Sequence, residues 1–394
     1  MWYKFPSIEH FDQIRAAIAG ADEFIAVDRG DHIIFDYKFV MSTSFPDVDP
    51  SGGEPAAMAA LRREARGLIF ERSTGRVLGR RFHKFFNLGE RDETRPDRID
   101  LGRPHVMLEK LDGSMISPIR LGDRLAWTTM MGETDVAAGA ARFVADRPRY
   151  ARLAEELLAA GANPIFEWCS QENRVVVDHA EPVLTLLAIR ELVSGSYWSL
   201  AEVREAAARA QVPVVAAWEG LDPDPRTLPQ QLDGQTGREG IVLRFDDGHM
   251  LKLKTPWYAR IHGVLERLSR EPDTVEILLS GSMDDVLPFL SAADVEALRL
   301  FAGALDAGLA ETAARLKQKF AELQERHPSR KEIALALGKD PDAPFIFRML
   351  GGADALSLVR DHVLRECQSG PRLEAARRLF GAHWERPSAM INEG

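Results

Sequence analysis

Lys110-Leu111-Asp112-Gly113-Ser114 puts an amine, a carboxylate and a glycine within five residues, with apolar runs on both sides. Val106–Leu108 reads as the end of one strand and Met115–Ile119 as the start of another. An amine set against a sheet is partly desolvated. Desolvation and nearby cations lower an ammonium's pKa, and a neutral amine is a nucleophile. Gly113 would let backbone approach a bulky ligand where a side chain would not. Asp112 is suited either to orienting the lysine or to holding a metal-bound water. The competing reading is a surface hairpin turn, for which Asp-Gly is a common signal.

Other stretches carry groups suited to the same chemistry. Asn163-Pro164-Ile165-Phe166-Glu167-Trp168 reads as a buried strand with one carboxylate. Alternation puts Glu167 on the face of Ile165, opposite Phe166 and Trp168, and a carboxylate in so apolar a run needs a partner. Arg238–Phe245 and Met250–Lys254, joined at Asp246-Asp247-Gly248, read as a β-hairpin. Lys252 and Lys254 share one face and Leu251 and Leu253 the other, so two ammoniums stand side by side with Glu239 on the partner strand. Polar-out alternation on a surface strand explains the lysines well and Glu239-Gly240 poorly. From Leu61 to Lys84 there are eight basic residues (Arg62, Arg63, Arg66, Arg72, Arg76, Arg80, Arg81, Lys84) against Glu64 and Glu71, a local balance of +6 in a chain of net charge −10. That asymmetry points to a local anion site; the alternative is a solvated charged face.

These groups need strands to position them, and strand signals run to about residue 260. Ile8–Ile18 reads as an amphipathic helix, Phe24–Val27 and Ile33–Tyr37 as strands, Phe45–Pro55 as a loop and Ala56–Arg63 as a short helix. Ala65–Phe70 and Val77–Phe86 are expected to pair across Ser73-Thr74-Gly75, bringing Arg66 and Lys84 together. Leu125–Met131 and Pro182–Arg190 read as strands, Ala137–Ala160 as helical with a break at Arg147-Pro148, Leu200–Ala210 as a helix and Asp222–Gln235 as a polar loop. Beyond Ile261 helical periodicity takes over, with Ser329-Arg330-Lys331-Glu332 as a capping box. The expectation is an α+β chain: antiparallel sheets in a domain of residues 1–262, then an all-helical domain of residues 263–394.

With 394 residues the chain has room for more than one domain, and its 45% hydrophobic and 28% charged residues are those of a soluble globular protein. No apolar stretch approaches a membrane span, and Met1–Pro6 lacks a signal peptide's apolar core. Cys169 and Cys367 lie far apart, with no nearby Cys or paired His, which points to a reducing cytoplasm and away from a structural zinc site.

In order, the strand-rich part offers a motif lysine, a strand-borne Glu, a Glu-Gly strand and a Lys-x-Lys strand. That order resembles the covalent nucleotidyltransferases, the superfamily of ATP-dependent ligases and capping enzymes. Arg66-Gly67-Leu68-Ile69-Phe70-Glu71, Lys84-Phe85-Phe86-Asn87-Leu88-Gly89-Glu90, Phe166-Glu167-Trp168 with Ser170-Gln171-Glu172-Asn173-Arg174, and Lys252-Leu253-Lys254-Thr255-Pro256-Trp257-Tyr258 narrow it. They resemble the phage tRNA-repair RNA ligases, the RNA ligase 1 family, over roughly residues 20–262. A helical second domain fits that family, whereas DNA ligases and capping enzymes are expected to carry a β-rich domain there.

The resemblance implies an N-terminal adenylyltransferase domain, ATP and Mg²⁺ (or Mn²⁺), and an RNA partner with 5′-phosphate and 3′-hydroxyl ends, such as a nicked tRNA. Lys110 would attack the ATP α-phosphate and form a lysyl-AMP. Arg66, Lys84 and Tyr37 would meet the β- and γ-phosphates. Lys252 and Lys254 would hold the α-phosphate, Glu167 the ribose, and Glu239 the metal or the adenylate. Phe86 and Gly113 fall among the ATP-binding positions, Asp112 among the catalytic ones, and Tyr258 is a further candidate. Asp284, beside Asp285, is either part of an N-cap or a metal contact. One departure stands out. The family commonly has a lysine on the strand after the nucleophile, where this chain has Thr128-Thr129-Met130-Met131, so that lysine's role is either absent or taken by another cation, such as Arg120 or Arg124. The alternatives are a DNA-end or other nucleic-acid adenylyltransferase, and an RNA-binding module that has lost catalysis.

Overall fold

The computed structural model describes residues 4–49 and 51–386, so Met1–Tyr3 of the N-terminal stretch lie outside it. The chain divides into two compact units between Ala259 and Arg260, within the helix Pro256–Leu268.

Among the described residues of the first unit, β1 (Phe24–Asp28), β2 (His32–Tyr37), β3 (Leu68–Glu71) and β4 (Val77–Gly79) form one antiparallel sheet in that order. The strands that follow are β5 (Phe86–Asn87), β6 (His105–Lys110), β7 (Ser114–Leu121), β8 (Arg124–Thr128), β9 (Ala162–Cys169), β10 (Val183–Glu191), β11 (Gly240–Phe245) and β12 (Met250–Lys254). They make two further sheets, ordered β10-β9-β7-β8 and β5-β12-β11-β6. Helices Asp135–Ala145, Pro148–Ala159 and Leu200–Ala210 pack apolar faces on the β7–β10 sheet through Ala140, Val144, Leu153, Leu157 and Val203. Pro148 starts its helix where a missing N–H costs nothing.

Three expectations change. First, the competing reading of Asp112-Gly113 as a hairpin turn falls away: β6 and β7 lie in different sheets, and residues 111–113 cross from one to the other. Second, the strand expected over Val77–Phe86 breaks after Gly79. The Arg80 and Arg81 side chains turn inward, and Phe86–Asn87 pairs in parallel with β12. Third, the polar loop 222–235 contains a helical turn, Leu228–Gln231. Leu228 and Leu232 are fully buried there, against the apolar face of β11 and β12 formed by Ile241, Leu243, Leu251 and Leu253.

The basic run is largely structural. Glu64, buried, accepts from Arg80 Nε at 3.0 Å and from Arg190 Nη2 at 2.7 Å. Burial pushes its carboxyl up, but the two guanidiniums outweigh burial and hold it below its ordinary value. Arg63 pairs with Glu93, Arg72 with Asp28 and Arg76 with Glu71. Arg81 donates to the Gly67 and Thr129 carbonyls and to Thr128. Removing one partner of a buried pair typically costs about 3–5 kcal/mol. Arg63, Arg80 and Arg81 are thus buried against protein partners and Arg72 and Arg76 hold surface ion pairs, so the +6 balance overstates the free anion surface.

In the second unit the described residues are helical. Leu298, Leu305, Leu309 and Leu316 form one apolar stripe of the helix Ala292–Arg326. They share a core with Leu358, Val359 and Val363 of the helix Ala355–Glu366. The Ser329–Glu332 capping box is formed, with reciprocal bonds of 3.1 and 3.3 Å. No helix among the described residues is long and apolar enough to cross a membrane, and Cys169 and Cys367 are free and buried.

Candidate active site

Strand register assembles the centre. Gly240 pairs with Lys110 of β6 on one side and with Lys254 of β12 on the other. Alternation then puts Lys110, Lys252 and Lys254 on one face of this sheet. A Cβ on Gly240 would lie 1.9 Å from the Leu253 carbonyl oxygen, so a side chain there would force the strands apart. Glu239, just before β11, is 4% exposed. Its Oε1 lies 2.7 Å from Lys110 Nζ and 3.7 Å from Lys254 Nζ.

The charge on Lys110 differs from expectation. Burial pulls the ammonium down, but Glu239 and Glu167 outweigh burial and raise its pKa above the ordinary lysine value. Without nucleotide, Lys110 is an ion-paired ammonium and not a pre-formed amine. Lys252 is the depressed lysine: burial, then Lys110, Arg66, Lys84 and Lys254, pull it down to about 7. Lys254 is lowered too, chiefly by burial.

The facing wall comes from β7 and β9. Glu167 pairs with Met115 and accepts a 3.2 Å hydrogen bond from the Gly113 N–H. A Cβ on Gly113 would meet the Trp168 carbonyl oxygen at 2.3 Å, so the lack of a side chain is what lets strand β9 approach, and Gly113 itself lines the cleft. Asp112 is also explained by packing. Its Oδ2 accepts from Val176 N–H at 2.7 Å and Val177 N–H at 2.6 Å, and its Oδ1 accepts from Tyr258 O–H at 2.7 Å. Buried and so bonded, it anchors the crossing behind Lys110, and Tyr258 enters the site through that anchor. Asn173, whose side chain joins Ser114 Oγ (3.0 Å) and the Trp168 carbonyl (2.9 Å), clamps the same corner.

The two walls enclose a cleft of about 840 Å³ including its mouth, within the size range of small-molecule sites. Arg66, Lys110 and Glu167 line it together with Phe82, Phe85, Leu108, Met115, Val242 and Arg244. Lys84 stands beside Tyr37, with Nζ 3.3 Å from the phenol oxygen and 4.8 Å from the ring centroid. Phe86 does not join the cleft. It is fully buried in the core of the first sheet, under the Arg63 and Arg91 guanidiniums. Phe85 lines the cleft instead, 5.7 Å from Lys252 Nζ.

Several lining residues carried no sequence signal. The β10 register skips Leu187, which bulges into the cleft. Segment 213–218 bridges the two sheets: Leu186 N–H donates to Pro213 O, and Trp218 N–H to Met107 O. Val215 therefore becomes a wall. Thr128-Thr129, where the resemblance led to a lysine, is buried and bonded to Arg81. Arg120 and Arg124 do not replace it: they pair with Glu155 and Glu133, and neither lines the Lys110 cleft. Asp284 is exposed in the first turn of the helix Met283–Val286 of the second unit. Among the described residues no group of three or more His, Cys, Asp or Glu could hold a metal.

Residues 64–258 match a family described as RNA ligase. A Thermovibrio ammonificans protein provisionally named an RNA ligase is 30% identical over 235 residues, 57% of this chain and 60% of that protein. "RNA ligase 1" of bacteriophage TS2126 is 32% identical over 254 residues, 62% of each chain. The chain therefore spans less than two thirds of these relatives. A solved archaeal ATP-dependent RNA ligase aligns at 15% identity with a TM-score of 0.42, over 65% of this chain and 64% of that one.

Proposed function

We propose, from the match of residues 64–258 to the family described as RNA ligase, that this chain is an ATP-dependent RNA ligase that joins 5′-phosphate to 3′-hydroxyl ends, with a role in RNA repair, tRNA included. The observation that carries the proposal is the face shared by Lys110, Lys252 and Lys254, with Glu239 between the first and the last. Its setting is a reducing cytoplasm, consistent with two free cysteines.

In this reading Lys110 Nζ attacks the ATP α-phosphorus, a P–N bond forms and the P–O bond to pyrophosphate breaks. Lys252 and Lys254 meet the charge that develops on the α-phosphate. Arg66 and Lys84, with the Tyr37 hydroxyl, receive the departing pyrophosphate. Glu167 serves the ribose, and Phe85 and Met115 flank the base. Attack requires the Lys110–Glu239 pair to open and the ammonium to lose its proton. Mg²⁺ or Mn²⁺ fits this centre as a cation held by one or two carboxylates and substrate phosphates. Glu239 and Glu167, the carboxylates that act most strongly on Lys110, would hold it, and Asp284 is not needed. When bound, the cation would neutralise phosphate charge and push the Lys110 ammonium towards its neutral form. The AMP would then pass to the RNA 5′-phosphate, and the 3′-hydroxyl would displace it. The helical unit, residues 263–394 in the sequence reading, would choose among RNAs.

The direct test is incubation with labelled ATP and Mg²⁺ followed by a denaturing gel. A phosphoramidate adduct, stable to alkali, cleaved by acid and absent in Lys110→Ala, is expected. Full labelling of the Lys110→Ala chain would refute the assignment.

A further inference from the structure

Arg244 sits in the Lys110 cleft and has no part in the chemistry above. On β11 it lies on the same face as Gly240 and Val242, four residues from the centre. At the strand rise that is roughly 13 Å from the Lys110 pairing. Lys110 and Arg66 line the cleft, and on β12 beside it Lys254 stands opposite Gly240 and Lys252 opposite Val242, so the cations run from the Gly240 end as far as Val242 and stop short of Arg244. Leu108, Val242 and Met115 make its apolar middle, and Arg244 stands beyond them with Met250. Phosphates held at the cation end would leave the base, and not the ribose or phosphates, facing Arg244.

The state of its guanidinium adds a second observation. Arg244 is 5% exposed. Nη2 donates to the Trp198 carbonyl, and the Tyr197 ring lies 5.6 Å from the guanidinium carbon. These contacts hold the fork in one orientation. Nη1 is buried and has no hydrogen-bond partner among the described residues. A charged donor left unsatisfied in an apolar site is costly, and a ligand acceptor would remove that cost. Trp198 takes one N–H of Nη2 and holds the plane of the fork, which leaves the N–H groups of Nη1 as the buried donors without a partner. Such a donor is satisfied by a ring nitrogen with an in-plane lone pair.

We propose that Arg244 determines base recognition: its Nη1 N–H donates to one ring nitrogen of the purine bound in the apolar part of the cleft. The proposal rests on the ATP-binding reading above and names the residue that reads the base.

The test is equilibrium binding of ATP, 1-deaza-ATP, 3-deaza-ATP and 7-deaza-ATP to the full chain, repeated with Arg244→Met. Each analogue lacks one ring acceptor. One of them is expected to bind the wild-type chain about tenfold to a hundredfold more weakly than ATP, the usual range for a hydrogen bond to a charged group. In Arg244→Met the same analogue and ATP are expected to bind equally. Three analogues within twofold of ATP would overturn the proposal, as would a loss that persists in Arg244→Met. The wild-type series needs no variant to fold, and Arg244→Gln, too short to reach, serves if the Met chain is insoluble. Labelling of Lys110 by ATP is run alongside. An adduct with a flat analogue series refutes only the base contact. No adduct with the expected series refutes only the ligase reading.

Discussion

The Lys110 ammonium is held 2.7 Å from the Glu239 carboxylate, and the two residues meet because Gly240 pairs directly with Lys110 across β11 and β6. The nucleophile of the proposed reaction is thus held in its unreactive protonation state by the carboxylate that the proposal assigns to the metal. Activation and cation binding become one event in such a centre: whatever takes up the Glu239 charge also frees Lys110. A chain built this way is spared a reactive amine in the empty cleft.

Glu239→Gln is expected to move the acid limb of the adenylation pH profile. Glu239 raises the Lys110 pKa, so at any given pH fewer amines are neutral than in its absence. Removing that charge lowers the pKa, and the limb shifts to lower pH even as the maximal rate falls with the lost carboxylate. Single-turnover adduct formation from pH 6 to 10 reads both effects. A limb that stays in place would show that Glu239 does not keep Lys110 protonated.

Gly240→Ala is expected to destabilise the fold and misplace both lysines that flank it. The added carbon would press on the Leu253 backbone at 1.9 Å, and backbone cannot rotate away. Overpacking of this kind costs about 1–3 kcal/mol. Urea unfolding should show that loss, and adduct formation should fall further than the loss of folded protein explains. Unchanged stability would mean that β11 and β12 separate freely.

Much of this centre was legible from alternation alone. Lys252 and Lys254 do share a face opposite Leu251 and Leu253, and Glu167 does lie opposite Phe166 and Trp168 along β9. Alternation tells faces but not which sheet a strand joins, so a passage between two sheets at residues 111–113 and a hairpin turn there could not be told apart. Phe85 and Phe86 show the same limit: the strand breaks after Gly79, buried Arg80 and Arg81 interrupt the period, and the parity of the two rings cannot be carried across. The protonation of Lys110 was misjudged because its partner is remote in sequence and only pairing brings it close. The basic run misled for the reverse reason, since the carboxylate that neutralises Arg80 sits inside the run but is shared with distant Arg190.

Asp112→Asn is expected to act through the fold. Asp112 holds two backbone N–H groups and the Tyr258 hydroxyl, and an amide can accept at only one of the two positions. The loss should be about 1–3 kcal/mol, with faster hydrogen exchange at Val176 and Val177. Tyr258→Phe should reproduce a smaller part of it. The Mg²⁺ concentration for half-maximal adenylation should not move in either variant. A large shift in that concentration would restore Asp112 to a metal role.

The last prediction concerns Lys252, where burial and four neighbouring cations bring the pKa down to about 7. In the unfolded chain the lysine sits near its ordinary value of about 10.4, so between those limits the unfolded state binds more protons. Its contribution to stability therefore becomes less favourable as pH falls from about 10 to about 7, and below that the full cost is present. Lys252→Met removes the charge and keeps an unbranched stem. It should raise the melting temperature of the nucleotide-free chain, with a gain that grows as pH falls across that range and levels off below 7. Function should move the other way. A triphosphate supplies the anion that four like charges lack, so binding should drive a proton onto Lys252 above pH 7. Calorimetry of ATP binding at pH 8 in buffers of different ionisation enthalpy should register that proton uptake in the wild-type chain and not in Lys252→Met. Adduct formation in Lys252→Met should fall about a hundredfold or more, as when one charge-stabilising donor is removed from a transition state. A variant neither more stable at pH 7 than wild type nor slower in adenylation would place Lys252 outside the phosphate site and reduce it to an ordinary surface lysine.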